Sequence, residues 1–349
     1  MFFVGWTNRN GRTDVGAVRS SALLKQLAEK NMYPQIIDIW KQGSRISQIK
    51  WAARFLKKMI VNKPQIVYVS CNPYNHLLVV LLGVILGRHK LIVDFRDAYS
   101  IDIKERNYPG CYQLARFTEK LIYKFCEKLI LVTPGIEKRY ENIFGNADKL
   151  MVVPNGHELS KALLEQLAGN RKNNNEIKVV YPGMYSPYFS SVQARKYIGI
   201  LSDELKKTGK KHEIIFVGTD KGTKALLKDE ECVRFIPDTA GSERLPYEET
   251  IRILNEADLV FMPIDNDYGC ATKIYDYLAL GLPIFNFIDK NNWLHQYIAG
   301  RIVDSCENLH RFEMDYEGKY HRDNQMKKLA NYIYEEARKI NDPAYREEQ

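Results

Sequence analysis

The strongest constraint on the fold of this chain is the alternation of two hydrophobic patterns along its length. Short runs of β-branched and aromatic residues, apolar on both faces, predict strands that are buried on both sides of a parallel sheet. Between these runs, apolar residues recur at helical spacing. Because alternating strands and helices build βαβ crossovers, the sequence predicts an α/β protein made of doubly wound parallel sheets.

The pattern is regular enough to place the elements of the first half. The predicted strands are Met1–Gly5, Gln35–Ile39, Gln65–Ser70, Lys90–Phe95, Lys128–Val132 and Leu150–Val153. The predicted helices are Val15–Lys30, Arg45–Asn62, Tyr74–Leu86, Tyr112–Cys126 and Gly135–Phe144. The alternation lapses between Pro154 and Asn175 and then resumes, which predicts a second domain of the same kind.

A length of 349 residues also suits two domains. We predict a first Rossmann-like domain over residues 1–157, a linker over 158–175 and a second Rossmann-like domain over 176–322. A final helix over 323–349 could cross back to the first domain. Since ligands of open α/β sheets bind at the carboxyl ends of the strands, the two domains are expected to face each other across a cleft.

The net charge of +8 is unevenly distributed, with +11 in residues 1–160 and −3 in the remainder. This asymmetry points to an anionic partner of the first domain, either a membrane surface or nucleic acid. The segment Lys41–Lys63 holds seven basic residues and no acid, interleaved with Trp51 and Phe55. Such a segment is typical of helices that bind anionic lipid, although a packed helix with a basic polar face has the same pattern. No RNA- or DNA-binding module is recognisable, so we do not expect a nucleic acid partner.

The same reasoning bears on the compartment. The longest uninterrupted apolar run, Leu77–Gly87, is well below the ~18–20 residues that span a bilayer. The N-terminus has neither the basic flank nor the small-residue cleavage site of a signal peptide. We therefore expect a cytoplasmic protein that could associate peripherally with the inner face of the membrane.

The segment Phe261–Phe287 carries the clearest candidate site. A buried strand is followed by a loop and then by a helix that is predicted to begin at Thr272 as N-cap. Free backbone N–H groups there, with Lys273 alongside, would bind an anion such as a diphosphate. Asp276 lies on the same helix face, where its carboxylate could accept hydrogen bonds from a ribose. The alternative is an ordinary capped helix with a surface Lys273–Asp276 pair.

Two strand ends of the first domain carry further candidates. In Asp94-Phe-Arg96-Asp97, Asp97 could act as general base on a hydroxyl, with Arg96 positioning the acceptor. The alternative is a buried Arg–Asp ion pair that holds the loop. His76 follows the preceding predicted strand, Gln65–Ser70, and could contact an acceptor or be purely structural.

The loop between the first strand and the first helix is basic and contains glycine. Its residues Arg9, Arg12 and Gly16 are expected to face the ligand edge of the sheet. Glycine there would let the backbone approach a bound anion closely.

Several of these segments resemble one known family. Thr-Lys-Ile-Tyr-Asp-Tyr-Leu-Ala-Leu-Gly-Leu-Pro-Ile, residues 272–284, resembles a segment of the family 4-type retaining glycosyltransferases, which have the two-domain GT-B fold. Shorter matches occur in the expected order along residues 1–290. They are Asp94–Asp97, Val132–Gly135, Val152–Glu158, Tyr181–Met184 and Phe216–Gly218.

The resemblance implies roles for the candidate residues. The C-terminal domain would bind a nucleotide sugar, and no metal would be required. Asp97 and Asp276 would be the catalytic carboxylates. The donor would contact Gly16, Gly183, Gly218, Thr272, Lys273 and Asp276. The acceptor would be positioned by Arg9, Arg12, His76, Arg96 and Asp97.

Two departures from the family pattern concern the donor site. The family has two acids eight positions apart; here the second is Asp276, and the first is replaced by Tyr268 next to Asp267. The basic pair that usually follows the turn at Tyr181–Gly183 is also absent. We expect transfer of a sugar to a hydroxyl acceptor, a lipid-linked cell-envelope glycan. The alternatives are a nucleotide-sugar epimerase of the same fold and a non-catalytic nucleotide-binding partner protein.

Overall fold

The computed structural model describes residues 1–7, 15–39, 44–71, 73–106, 109–169, 176–185, 190–237, 245–264 and 266–341. The chain forms two compact units. Unit 1 comprises Met1–Asn155 and the C-terminal segment from Arg322, and unit 2 comprises Gly156–His321.

In the described residues of unit 1, parallel strands form one six-stranded sheet with helices in the connections. The strand order is β2-β1-β3-β4-β5-β6. The strands are β1 (Phe2–Val4), β2 (Gln35–Ile37), β3 (Ile66–Cys71), β4 (Lys90–Phe95), β5 (Cys126–Leu131) and β6 (Leu150–Val152). The helices are α1 (Val15–Ala28), α2 (Arg45–Val61), α3 (Leu77–Leu86), α4 (Tyr99–Glu105), α5 (Tyr112–Phe125) and α6 (Pro134–Phe144).

The described residues of unit 2 form a second six-stranded parallel sheet, in the order β12-β11-β10-β7-β8-β9. The strands are β7 (Glu176–Pro182), β8 (Lys211–Val217), β9 (Val233–Ile236), β10 (Leu259–Phe261), β11 (Ile284–Phe285) and β12 (Ile302–Val303). The helices are α7 (Lys161–Gly169), α8 (Ser191–Lys207), α9 (Lys221–Leu227), α10 (Tyr247–Asn255), α11 (Lys273–Ala279) and α12 (Trp293–Tyr297). This order is that of the Rossmann fold, so the prediction of doubly wound parallel sheets is confirmed.

The last helix, α13 (Arg322–Asn341), belongs to unit 1 although it follows unit 2 in the chain. Its buried residues Met326, Leu329 and Ile333 share a core with Leu23 and Leu27 of α1. The helix therefore covers the face of the first sheet that α1 also covers.

The predicted linker over 158–175 is wrong for residues 161–169, which form α7. Leu164 and Leu167 of this helix are buried in the core of unit 2. Three residues apart, they lie on one face of the helix and anchor it. The chain enters unit 2 at Gly156, and His157 pairs with His321 in a parallel bridge where the chain leaves it.

No helix in the described ranges has both the length and the apolar character that crossing a membrane requires.

A buried ion pair ties the elements of unit 1 together. The Arg19 guanidinium of α1 binds both carboxylate oxygens of Asp94 on β4, at 2.8 and 3.2 Å. Tyr68 on β3 donates to the same carboxylate at 2.5 Å, and Arg19 also donates to the carbonyl of Val153 at 2.9 Å. The expected Arg–Asp pair of the Asp94–Asp97 segment is therefore formed, but its arginine is Arg19 and not Arg96.

We expect Arg19→Met to lower the free energy of unfolding of unit 1 by about 3–5 kcal/mol, because it leaves the buried Asp94 carboxylate without its counter-charge. Denaturant unfolding measures this loss. The matched control is Lys25→Met, which removes the exposed ion pair with Asp323 and should cost less than about 1 kcal/mol. Equal losses in the two variants would contradict this assignment.

Candidate functional site

The strand order of unit 2 reverses direction between β7 and β10, which are neighbours in the sheet. In open α/β sheets, ligands bind just beyond the carboxyl ends of the strands at such a switch point. Here β7 ends at Pro182 and β10 ends at Phe261. The segments that follow these two strands are therefore the first place to look for a site.

Two glycines shape this edge of the sheet. Gly183 follows β7 with φ +81°, and Gly218 follows β8 with φ +61°. Their N–H groups donate to the carbonyls of Val217 and Ile236, at 2.7 and 2.8 Å. A side chain is strained at these backbone angles, which explains why both positions are glycine. The two sequence-predicted glycines thus lie at neighbouring strand ends, with their N–H groups occupied within the sheet.

Lys273, the first residue of α11, reaches back to the end of β7. Its Nζ donates to the carbonyl of Pro182 at 2.6 Å and lies 3.6 Å from the centroid of the Tyr181 ring. Lys273 is half-buried, and the loss of water around its ammonium lowers its pKa to about 7. In the described residues Nζ forms no ion pair, so a carbonyl dipole and an aromatic face are the groups that meet its charge. Contact with an anion strongly lowers the free energy of such a cation.

Asp276 lies one turn further along α11 and is half-buried. Its Oδ1 accepts a hydrogen bond of 2.6 Å from the hydroxyl of Tyr247, at the start of α10. Lys273 and Asp276 do not pair, so the alternative expectation of a surface ion pair is wrong. Tyr247 is a candidate that sequence reasoning missed, because nothing in the pattern of α10 indicates a contact with a residue 29 positions later.

Thr272 directly precedes α11, as predicted, but its side chain does not cap the helix. The residue has helical backbone angles, φ −60° and ψ −24°, and its side chain makes no capping hydrogen bond. Its carbonyl accepts from the N–H of Tyr275 at 3.1 Å, so the chain is already turning at Thr272. Thr272 is exposed at the start of α11, beside Lys273.

Tyr268 stands at the position where the resembled family has the first of its two acids. Tyr268 is buried, with 1% of its surface exposed, whereas the neighbouring Asp267 is exposed. Asn266 organises this loop, because its Oδ1 accepts from the N–H groups of Tyr268 and Gly269. The tyrosine ring therefore contributes to packing at the place where the resembled family has a carboxylate.

In unit 1, Asp97 follows β4 and is half-buried. Its carbonyl accepts a hydrogen bond of 2.8 Å from Tyr74, whose ring stacks on Tyr99 with centroids 4.0 Å apart. Arg96 donates through Nε to the carbonyl of Cys71 at 2.5 Å. The loop that carries Asp97 is thus fixed at the carboxyl edge of the first sheet.

His76 does not suit its predicted role in contacting an acceptor. Its ring is fully buried, with an edge-to-face contact to Trp51. Burial lowers the pKa of His76 to about 4, so the ring is neutral at physiological pH. In the described residues neither ring nitrogen has a hydrogen-bond partner. A solvent-shielded ring cannot reach an acceptor in this conformation.

The remaining candidates of the first domain are Gly16, which lies in the first turn of α1, and Arg9 and Arg12, which lie outside the described residues. Within the part of the chain that the structure describes, no three His, Cys, Asp or Glu side chains converge as metal ligands would. A donor site that works without metal stays a prediction.

The aromatic residues of the Lys41–Lys63 segment are not available to lipid. Trp51, Phe55 and Met59 are the buried face of α2, and the rings of Trp51 and Phe55 stack at 5.1 Å. For these residues the alternative of a packed helix is confirmed. The basic residues Lys50, Arg54 and Lys57 remain exposed on its outer face.

Comparisons with known proteins bear on the fold. No protein-family model matches the sequence, and no curated protein matches it. Among solved structures, HepE from Anabaena in complex with UDP and glucose is 15% identical with a TM-score of 0.53, over 98% of both chains. The lipopolysaccharide outer core galactosyltransferase WaaB is 11% identical with a TM-score of 0.60, over 96% of this chain and 99% of its own. The chain has the GT-B fold.

A third GT-B structure in the comparison is the UDP-GlcNAc 2-epimerase of Methanocaldococcus jannaschii. It is 13% identical with a TM-score of 0.56, over 95% of this chain and 98% of its own. The predicted fold, two Rossmann-like GT-B domains, is therefore confirmed. At these identities the likeness concerns the fold, and it includes both a transferase and an epimerase.

We expect Lys273→Met to stabilise unit 2, because methionine fills the same space without a desolvated charge. Between pH 10.5 and about 7 the folded chain binds fewer protons at Lys273 than the unfolded chain. Lowering the pH through this range therefore destabilises the wild type and not the variant. Thermal melts should show a difference in Tm that widens from about pH 10 to about pH 7.

The matched control for this experiment is Lys196→Met, at an exposed position of α8. It should leave the pH profile of Tm unchanged. If the difference in Tm between Lys273→Met and the wild type does not depend on pH, the placement of the ammonium is contradicted.

Proposed function

We propose that this protein is a glycosyltransferase that moves a sugar from a nucleoside diphosphate sugar to a hydroxyl acceptor. The observation that carries the proposal is Lys273, a desolvated cation at the switch point of the second sheet with a carbonyl and an aromatic ring as its neighbours. The position is where α/β sheets bind ligands, and the charge is that required by a diphosphate.

The surrounding residues fit a diphosphate leaving group. A Cβ atom added to Gly183 would lie 4.0 Å from Nζ of Lys273, so this glycine borders the ammonium. An ammonium in surroundings poor in water stabilises developing negative charge more strongly than it would in bulk solvent. As the bond between sugar and diphosphate breaks, Lys273 would stabilise the charge on the departing phosphate, with Thr272 beside it. No metal ion is needed for this step.

Asp276 is proposed to bind the ribose of the donor. Its Oδ1 accepts a hydrogen bond from Tyr247, which orients the carboxylate. A carboxylate accepts several hydrogen bonds at once, so this contact is compatible with a further one from a ribose hydroxyl. On the acceptor side, Asp97 is proposed as the general base, with Arg96 and the Arg9–Gly16 loop as positioning elements. Transfer with retention of configuration rests on the resemblance to the family 4-type enzymes.

The named structural neighbours support the class of substrate. HepE has been crystallised with UDP-glucose, and WaaB is a galactosyltransferase. By this analogy the donor is a UDP-hexose or a related nucleotide sugar. The acceptor we propose is a cell-envelope glycan on a lipid carrier, met at the inner face of the membrane, because the basic excess lies in the first half of the chain.

Two observations favour functions other than sugar transfer, and each of these functions can be tested. Similarity to the UDP-GlcNAc 2-epimerase favours an enzyme that acts on the donor alone. The buried Tyr268 in place of an acid favours a nucleotide-binding protein without catalytic activity.

We expect Lys273→Met to weaken binding of UDP by about 1–3 kcal/mol, roughly 5- to 150-fold, because a charge-assisted phosphate contact is lost. Calorimetric titration of the full-length protein with UDP, and with GDP for comparison, measures this change. The control Lys196→Met should bind as the wild type does. Equal affinities of Lys273→Met and wild type would remove Lys273 from the site.

The reaction itself separates the three functions. The donor is first identified as the nucleotide sugar that most raises Tm, since a bound ligand stabilises the folded state by mass action. Release of nucleoside diphosphate from this donor should then require an added glycolipid acceptor. Isomerisation of the sugar without acceptor, followed by NMR, would identify an epimerase, and donor binding without turnover would identify a non-catalytic protein.

A further inference from the structure

Helix α3 of unit 1 is apolar on every side, yet one of its faces is exposed to solvent. The sequence of α3, Leu-Leu-Val-Val-Leu-Leu-Gly-Val-Ile-Leu, has no polar side chain. Its inner face, including Leu77, Val80 and Val84, is buried. Its outer face carries four large aliphatic side chains that are 39–53% exposed: Leu78, Leu82, Ile85 and Leu86. Helices that are apolar all round are normally buried, so this exposed row, the α3 ridge, indicates an interaction surface.

The neighbouring helices extend this surface. Gly83 lets α3 approach α2 so closely that an added Cβ would lie 2.7 Å from the ring of Phe55. On the other side α3 packs beside α5. Both neighbours present large apolar side chains to solvent, Ile46 and Ile49 on α2 and Leu114 and Phe117 on α5. The α3 ridge thus lies between two helices that add to its exposed apolar area.

The exposed charges on helices α2, α3 and α5 all have one sign. Helices α2, α3 and α5 together contain eight Lys or Arg residues and a single acid, Glu119. That acid is fully buried and accepts hydrogen bonds from Ser100 and Tyr140. Lys50 and Arg54 on one side of the ridge and Lys120 and Lys124 on the other are exposed. An apolar row with cationic margins is complementary to a layer that is anionic outside and hydrocarbon inside.

We propose that the α3 ridge is the element by which this protein enters an anionic lipid bilayer, with the flanking Lys and Arg side chains binding the headgroup phosphates. Aliphatic side chains gain free energy in hydrocarbon and long basic side chains gain it at the interface. A second copy of the chain is a poorer occupant, because the two cationic margins would repel each other. Nucleic acid is also a poorer partner, because its phosphates would bind the basic margins and leave the exposed aliphatic side chains in contact with water.

The inference deepens the proposed function, since a lipid-linked acceptor resides in a membrane, but it is tested separately from catalysis. Vesicle co-sedimentation of the full-length protein compares phosphatidylcholine alone with phosphatidylcholine containing phosphatidylglycerol. Binding should require the anionic lipid and should weaken as salt is raised. Equal binding to both vesicles, or none to either, overturns the proposal.

The ridge itself is tested by Leu82→Glu/Ile85→Glu. We expect about tenfold or greater loss of binding to anionic vesicles, because two charges now enter the interface. The matched control is Val192→Glu/Ile200→Glu, which places the same changes on exposed apolar positions of α8 in unit 2. Wild-type vesicle binding by the ridge variant would overturn the proposal. UDP affinity should be unchanged in both variants, so loss of membrane binding is distinguishable from loss of the nucleotide site.

Insertion is read directly from Leu82→Trp, which changes the ridge without adding charge. The difference spectrum against wild type should shift to the blue with anionic vesicles, and brominated acyl chains should quench it. The ridge variants are also followed by size-exclusion chromatography with light scattering, without lipid. A wild-type dimer that Leu82→Glu/Ile85→Glu converts to a monomer would show that a second copy covers the ridge, and would overturn the proposal.

Discussion

The account of function depends on one desolvated charge, the ammonium of Lys273 at the carboxyl edge of the second sheet. The fold brings β7 and β10 together at a switch point, and the first residue of α11 then reaches back to Pro182 and Tyr181. Burial lowers the pKa of this lysine to about 7, which means that the folded protein holds the charge at a cost. An anionic ligand offsets that cost. The buried charge that lowers the stability of the folded chain would therefore favour binding of an anion such as a diphosphate.

In the first sheet, by contrast, a buried charge is compensated by other side chains of the protein. Its buried charge, Asp94, is fully paired by Arg19 and Tyr68, and it joins α1, β3 and β4 to the chain that leaves β6. The loop bearing Asp97 is fixed by hydrogen bonds that Tyr74 and Arg96 donate to backbone carbonyls. Lys50 and Arg54 on α2 and Lys120 and Lys124 on α5 are exposed basic residues beside the α3 ridge.

The sequence predicts the framework closely because the elements that form it are buried and periodic. β4 has the bounds that the hydrophobic pattern indicates, and α2 and α6 each differ from the predicted bounds by one residue. The helices α4, α7 and α12 are absent from the prediction because each is short and depends on tertiary contacts. In α4, for example, the N–H and the hydroxyl of Ser100 donate to the carboxylate of Glu119 on α5. Such contacts join residues whose proximity only the folded chain establishes.

The candidate site shows the same division. Lys273 and Asp276 could be placed from the predicted start of a helix, and Gly183 and Gly218 from the resemblance to the glycosyltransferase family. The cap at Thr272 could not, because propensity does not reveal that the chain is already helical there. The partners Tyr247 and Tyr181 could not either, since they lie far from Asp276 and Lys273 in sequence.

The most direct test of the central claim is the proton balance of UDP binding near pH 8, measured calorimetrically in buffers of different ionisation enthalpy. A diphosphate that binds Lys273 should raise its pKa from about 7, so binding should take up protons in the wild type and take up fewer in Lys273→Met. An identical proton balance in the two proteins would contradict the account.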